Sequence, residues 1–366
     1  MKFLTSLALL VFFSSLVSGQ DETKVDFASL VESAANQLLE IQEEDGAWAY
    51  EGVYRVRGKI PVGYRIGGSS IVCSALLSAE LNESREQAHA AIEKSVKLIL
   101  SELEDPLMEP SQENRYDVRV WGHIYALDLF CRLKESDGFD ELKKQTNAWI
   151  PKLVKALVFE EIEGGGWNYA SQRSHAAFVT GPAIQALLMA RDLGFEVEQE
   201  VLDRGAKALL DSRSENGAYQ YSGKGSRSTE LPGSIARSAL CESTLLMLGQ
   251  GELDQLQNSI DAFHKHWDEL EKRRKKTGTH LPPYGVAPYY FYFGHRYVAQ
   301  AIQLLPEAKR ATEMEKFNSV LMRTKDEDNT WNDRVFDRSK AYGTAMSILA
   351  LSGDRVLTPE AVANDD

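Results

Sequence analysis

The chain has 366 residues, 43% of them hydrophobic, and a formal net charge of −13. That apolar content is enough for a substantial core, and the acidic balance excludes nucleic acid as a partner, because phosphate binding needs a basic stripe. The one dense basic run, Lys272 to Lys276, closes a helix-like stretch, where cations favour the helix dipole, so it reads as a solvated helix end.

In chain order, residues 1–19 come first. Lys2 precedes an apolar run from Phe3 to Leu16, and Val17, Ser18 and Gly19 follow. A basic start, a short apolar run and a small-residue ending form a secretory signal, so the expected location is outside the cytoplasm (periplasmic or extracellular), with a mature chain starting near Gln20. The run is shorter than the ~20 residues of a membrane span, and no later stretch is apolar for long enough to form a stable one.

Residues 20–366 are expected to form one domain of repeats. Four short turns look alike: Asp45-Gly46-Ala47-Trp48, Gly164-Gly165-Gly166-Trp167, Asn216-Gly217-Ala218-Tyr219 and Asp328-Asn329-Thr330-Trp331. Their spacing fits two, one and two units of about 55 residues, with degenerate turns near Pro106 and Pro283-Tyr284 in the empty slots. Before each turn the apolar residues recur at helical spacing. In Ala28–Gln42, Leu30, Ala34, Leu38 and Ile41 share one face. Comparable runs are Ile92–Leu103, Trp149–Phe159, Val201–Leu210, Ile260–Leu270 and Met314–Met322. After each turn comes a helix richer in small and apolar residues: Ser70–Ala79, Trp121–Leu133, Thr180–Leu193, Ala236–Leu248, Tyr292–Leu304 and Tyr342–Leu351. A helix apolar nearly all round is buried on most sides. One helix of each pair is therefore outer and the other inner, and six pairs closed on themselves make a double-walled barrel, an all-α (α/α)6 toroid. Cys73, Cys131 and Cys241 all sit in apolar helical runs and are expected to be buried thiols.

The string Gln42-Glu43-Glu44-Asp45-Gly46-Ala47-Trp48 fits the Q-x3-G-x-W turn that recurs in triterpene cyclases. Gly165-Gly166-Trp167 and Asn216-Gly217-Ala218-Tyr219 are weaker copies. On these turns the chain resembles the prenyltransferase and squalene-cyclase repeat superfamily. The resemblance implies an α/α toroid with a central cavity. It does not carry the chemistry over. The cyclase acid motif D-x-D-D is missing, and the nearest string, Asp326-Glu327-Asp328-Asn329, falls in a turn. The zinc ligands of protein prenyltransferases have no counterpart, since no Asp-x-Cys pair occurs and no cysteine has a histidine within a helical turn. No metal and no cofactor are expected.

Two strings share the form G-H-x-Y: Gly122-His123-Ile124-Tyr125 and Gly294-His295-Arg296-Tyr297. They lie three repeats apart, so they should face each other across the barrel. His123 and His295 are then candidate cavity residues, one of them an acid or base near neutral pH; the bland alternative is that each fills a polar gap in helix packing. A polar and aromatic rim should gather where inner helices begin: Asp117, Arg119, Trp121, Arg173, His175, Arg227, Arg237, Tyr284, Tyr289, Tyr290, Tyr292, Asp333, Arg338 and Tyr342. Arginine, histidine and stacked aromatics suit a small-molecule, isoprenoid or saccharide ligand. The first functional expectation is an exported cyclase-like repeat protein with a ligand in a central cavity. A toroid-type polysaccharide lyase or hydrolase is the second, with Asp117 and Asp333 as its carboxylate pair. A non-enzymatic protein-interaction scaffold is the third. Fold analogy does not choose among them.

Overall fold

The structure, a computed structural model, describes residues 26–52, 56–113, 118–169, 173–222 and 230–357. The expected signal segment and Asp117 lie outside these. The described residues form twelve α-helices: α1 (Phe27–Glu40), α2 (Val62–Ser78), α3 (Arg85–Glu102), α4 (Arg119–Glu135), α5 (Asp140–Phe159), α6 (Ala177–Asp192), α7 (Gln199–Ser212), α8 (Leu231–Met247), α9 (Leu253–Glu271), α10 (Phe291–Gln303), α11 (Glu307–Met322) and α12 (Ser339–Ser352). No strand occurs among them, only isolated bridges. No described helix is long and apolar enough to cross a membrane.

The even-numbered helices form a closed inner ring. Each packs on the next, α2 on α4 and so on to α12, which packs back on α2. The sequence explains the division of labour. Helix α1 buries only the stripe Leu30, Val31, Ala34, Ala35 and Leu38, whereas α6 is buried from Val179 through Ala190. Glycines let inner helices come close. A Cβ at Gly122 would lie 3.1 Å from Gly63 Cα, and one at Gly294 would lie 2.9 Å from Ala236 Cα. Outer helices lean on the inner helix before them: α3 on α2, α5 on α4, α7 on α6, α9 on α8, α11 on α10. Helix α1 docks on α12 and closes the outer wall. The packed pair is thus inner-then-outer, one helix out of phase with the pairing expected across the aromatic turns. Short links such as Leu304 to Pro306 join the packed pairs, and short links make antiparallel neighbours.

The aromatic turns are built alike. Trp48, Trp167 and Trp331 each donate from the indole nitrogen to the carbonyl of a leucine ten residues earlier: Leu38 (2.7 Å), Leu157 (2.7 Å) and Leu321 (3.4 Å). Their backbone N–H groups donate to hydroxyls in the neighbouring inner helix: Ser69 (2.9 Å), Thr180 (3.0 Å) and Thr344 (3.0 Å). Each aromatic thus plugs a helix end and bolts it to the inner wall, satisfying groups a helix terminus leaves open. Tyr219 departs from this. Its phenol donates to Glu242 (2.9 Å), and Arg237 on α8 reaches its carbonyl. Gly46, Gly165 and Gly217 hold the tight turn at φ of 97°, 108° and 79°, and Asn329 takes the same place at 62°, the left-handed region open mainly to Gly and Asn. Asp328 of the D-x-D-D-like string is a turn residue here. Burial raises its pKa, but hydrogen bonds from Lys340 and Thr330 outweigh that and hold it at about 2.

Below the ends where the inner helices begin, the barrel axis is filled. Tyr125 on α4 and Tyr297 on α10, opposite members of the ring, approach each other across the axis closely enough for their phenols to interact. Deeper, Asp354, just beyond α12, accepts from Arg132 (2.5 Å) and Arg296 (2.7 Å). Asp128 holds Arg132 from the other side at 2.8 Å. Gln185 on α6 donates to Gln300 on α10 at 2.9 Å. The three cysteines are free and buried.

Candidate functional site: an aromatic cavity at one end of the barrel

The cavity sits above the Tyr125–Tyr297 floor, at the end where inner helices start. First-turn residues of those helices supply one part of its wall: Tyr64, Trp121, Phe178, Phe293 and Tyr342. The segments leading into them supply Tyr50, Gly52, Val118, Tyr169, Tyr221, Thr279, His280, Tyr289, Tyr290 and Arg334. The cavity volume is about 420 Å³, within the ~300–1,000 Å³ of small-molecule sites.

The repeat explains this lining. The residue two places after each turn aromatic is Tyr50, Tyr169, Tyr221 and Asp333 in the four copies. All three tyrosines line the cavity. Tyr50 packs on Tyr342 with ring centroids 4.7 Å apart and edge-on to Tyr64 at 5.1 Å. Tyr169 and Tyr221 share a hydrogen bond between phenols of 3.0 Å, and Phe178 stacks on Tyr221 at 5.3 Å. Such edge and offset contacts are the favoured aromatic geometries.

In the fourth copy a carboxyl takes the tyrosine slot. Asp333 is fully buried, and neither carboxyl oxygen has a hydrogen-bond partner on another described residue. Burial pushes its pKa up to about 7, against the opposing pull of Arg334 and Arg274. Arg334 itself lines the cavity. His280 Nδ1 donates to the Gly285 carbonyl (2.7 Å), and its Nε2 lies 2.8 Å from the Tyr289 phenol, from which it accepts in the neutral ring. Burial lowers its pKa.

The residues expected from sequence divide. Trp121, Tyr289, Tyr290 and Tyr342 line the cavity, and Asp333 lies beside its wall residues Tyr50 and Tyr342. Arg119 is buried and donates to the Glu109 carbonyl at 2.6 Å. Arg173 is exposed in the segment before α6. His175 bonds to the Ser212 hydroxyl at 2.8 Å. Arg237 is engaged by the carbonyls of Tyr219 and Gly233. Tyr292 turns away from the axis and donates to the Thr324 carbonyl at 3.2 Å. Arg338 is exposed and pairs with Glu43 at 3.3 Å. Asp117 and Arg227 lie outside the described residues. Among the described residues, no three His, Cys, Asp or Glu side chains converge as a metal site would require.

The two histidines do not face the cavity. His123 lies between the walls, its Nε2 donating to the Met108 carbonyl (3.0 Å) and its Nδ1 2.9 Å from Glu160 at the end of α5. His295 donates from Nδ1 to the Phe291 carbonyl (2.7 Å) and accepts at Nε2 from the Trp267 indole (2.9 Å). Burial lowers the His295 pKa to about 3. The helical period is the reason for this orientation. With Tyr125 and Tyr297 directed to the axis, the residue two positions earlier points to the outer wall. His295→Ala is therefore expected to leave the Trp267 indole unsatisfied and lower stability by about 1–3 kcal/mol. Urea unfolding checks this, and an unchanged midpoint would contradict it.

The sequence reading missed Tyr50, Tyr64, Tyr169, Phe178, Tyr221, His280, Phe293 and Arg334. The signal was present in the slot two residues after each turn aromatic, which holds Tyr three times. No family model matches the chain, and no curated protein matches it. Solved structures do. An inactive variant of the GH76A α-1,6-mannanase from Salegentibacter sp. HEL1_6, in complex with α-1,6-mannotriose, has a TM-score of 0.61 at 15% identity, covering 89% of this chain and 99% of that one. The type II terpene cyclase MstE from Scytonema has a TM-score of 0.54 at 14% identity, covering 89% and 97%. A possible member of the GH105 family from Salmonella enterica has a TM-score of 0.51 at 11% identity, covering 96% and 98%. These likenesses show the fold: the chain is an α/α toroid, the architecture shared by the terpene cyclase and the mannanase.

Proposed function

We propose that this protein binds an apolar, isoprenoid-type ligand in the aromatic cavity. The observation that carries the reading is the lining. Ten of its fifteen residues are Tyr, Trp or Phe, and none is a carboxylate. Glycoside hydrolysis needs two carboxyl groups facing one cavity at set separation. Asp333 stands without a second acid among the described lining residues. In the mannanase the inactivating substitutions fall on two consecutive aspartates, whereas consecutive aspartates occur here only at Asp365-Asp366, outside the described residues. The MstE complex holds geranylgeranyl dihydroxybenzoate, an isoprenoid tail on an acidic ring, which is the kind of ligand such a lining suits. A pure scaffold would be expected to fill its barrel throughout, and this one is filled only below the Tyr125–Tyr297 layer. No reaction is assigned. The expected export, with removal of residues 1–19, is part of the proposal.

Calorimetric titration of the purified chain tests it. Farnesol is expected to bind saturably at one site, and α-1,6-mannotriose to give no heat. Saturable binding of the trisaccharide with none of the isoprenoid would favour the saccharide reading instead.

A further inference from the structure

We infer that the ligand carries a single carboxylate head, held by the guanidinium of Arg334. This rests on the cavity-binding reading above and narrows it to amphiphilic acids. Arg334 is 4% exposed, yet it lines the cavity and forms no ion pair with any described residue. Its Nε has no hydrogen-bond partner among the described residues. Its neighbours are two aromatic faces in cation–π contact, Phe336 and Tyr289 at 5.1 and 6.0 Å, and the Tyr50 hydroxyl, none of which carries a negative charge. A guanidinium withdrawn from water without a counter-ion is costly, and an arriving anion removes the cost.

The rest of the barrel shows what a satisfied arginine looks like here. Arg132 and Arg296 share Asp354, and Arg237 donates to two carbonyls. Arg334 has no such partner among the described residues. The adjacent Asp333 is at most a partial counter-ion near neutral pH, because burial raises its pKa to about 7. Among the described lining residues Arg334 is the only permanent cation, and burial lowers the pKa of His280, which favours its neutral ring. One positive charge matches one carboxylate, which the planar fork of arginine can grip through two parallel bonds. A diphosphate, with its higher charge, would be left mostly uncompensated.

The test compares farnesoic acid with farnesol at pH 7 by calorimetry. Both present the same tail. The acid is expected to bind roughly tenfold tighter or more, the scale of a charge-assisted pair of bonds. Arg334→Gln is expected to abolish the preference, the ratio of acid to alcohol affinity falling to about one. Equal binding of acid and alcohol by the native chain overturns the carboxylate inference and leaves the cavity reading standing. Binding of neither overturns both. The native comparison needs no variant. Should Arg334→Gln fail to fold, Arg334→Lys keeps the charge and loses the fork; it is expected to bind the acid more weakly than the native chain but still above the alcohol, and acid binding by Arg334→Lys no better than that of farnesol would also overturn the inference.

Discussion

Asp354→Ala is expected to be among the most damaging single changes in this protein. Its carboxylate sits fully buried between Arg132 on α4 and Arg296 on α10, helices on opposite sides of the ring. Removing it leaves two buried guanidinium groups short of an anion, although Asp128 still holds Arg132. Breaking a buried pair in this way costs about 3–5 kcal/mol, a large part of the ~5–15 kcal/mol of an ordinary fold. The pH dependence has a definite sign. Burial alone would raise the pKa of Asp354, but Arg296 and Arg132 outweigh it and hold the carboxyl at about 2, below its ordinary 3.8. The stabilisation is therefore complete above about pH 4 and is lost as pH falls towards 2. Urea unfolding followed by circular dichroism reads both effects. A midpoint unchanged at pH 7 would show that the barrel end is held by packing alone.

Asp333→Asn should act in the opposite direction. The acid is buried without a partner on another residue, and burial raises its pKa from 3.8 to about 7, with Arg334 and Arg274 opposing. A folded-state pKa above the unfolded one means that the folded chain binds more protons between these values. Native stability therefore declines as pH rises from about 4 to 7 and then levels. The asparagine has no charge to bury, so the variant should gain on the native chain across that window. The gain should reach a few kcal/mol above pH 7, from about 1.4 kcal/mol per pKa unit. Melting profiles of both proteins from pH 4 to 9 decide it. A difference that does not change with pH would show that Arg334 and Arg274 offset the cost of burying the charge in full. A stability gain on removing a native residue would mark Asp333 as kept for a purpose other than folding, next to the cavity it adjoins.

The turns were the most legible part of the molecule. Asp45-Gly46-Ala47-Trp48 and its copies carry their own instructions: a residue that tolerates positive φ, an aromatic large enough to plug a helix end, and an amphipathic run before it. These are local requirements, so a local string states them. Helix starts were less legible. Helix α5 begins at Asp140, nine residues before the run read from Trp149, because the polar residues of its first turns carry no apolar period.

The sequence by itself determined that the chain is helical, that it repeats, that one helix of each pair is enclosed, and that polar and aromatic residues crowd the starts of inner helices. Only the tertiary structure decided which way those residues face. His123 and His295 share a motif and an equivalent place in the ring, yet both turn to the outer wall, and the tyrosines two residues on meet at the axis. Rotation of a helix about its own axis is set by what packs on every side of it, and no single segment holds that information. The same holds for Asp333 and Arg334. Adjacent in sequence, they are unremarkable acidic and basic residues until the ring closes around them and removes the water that would otherwise solvate both.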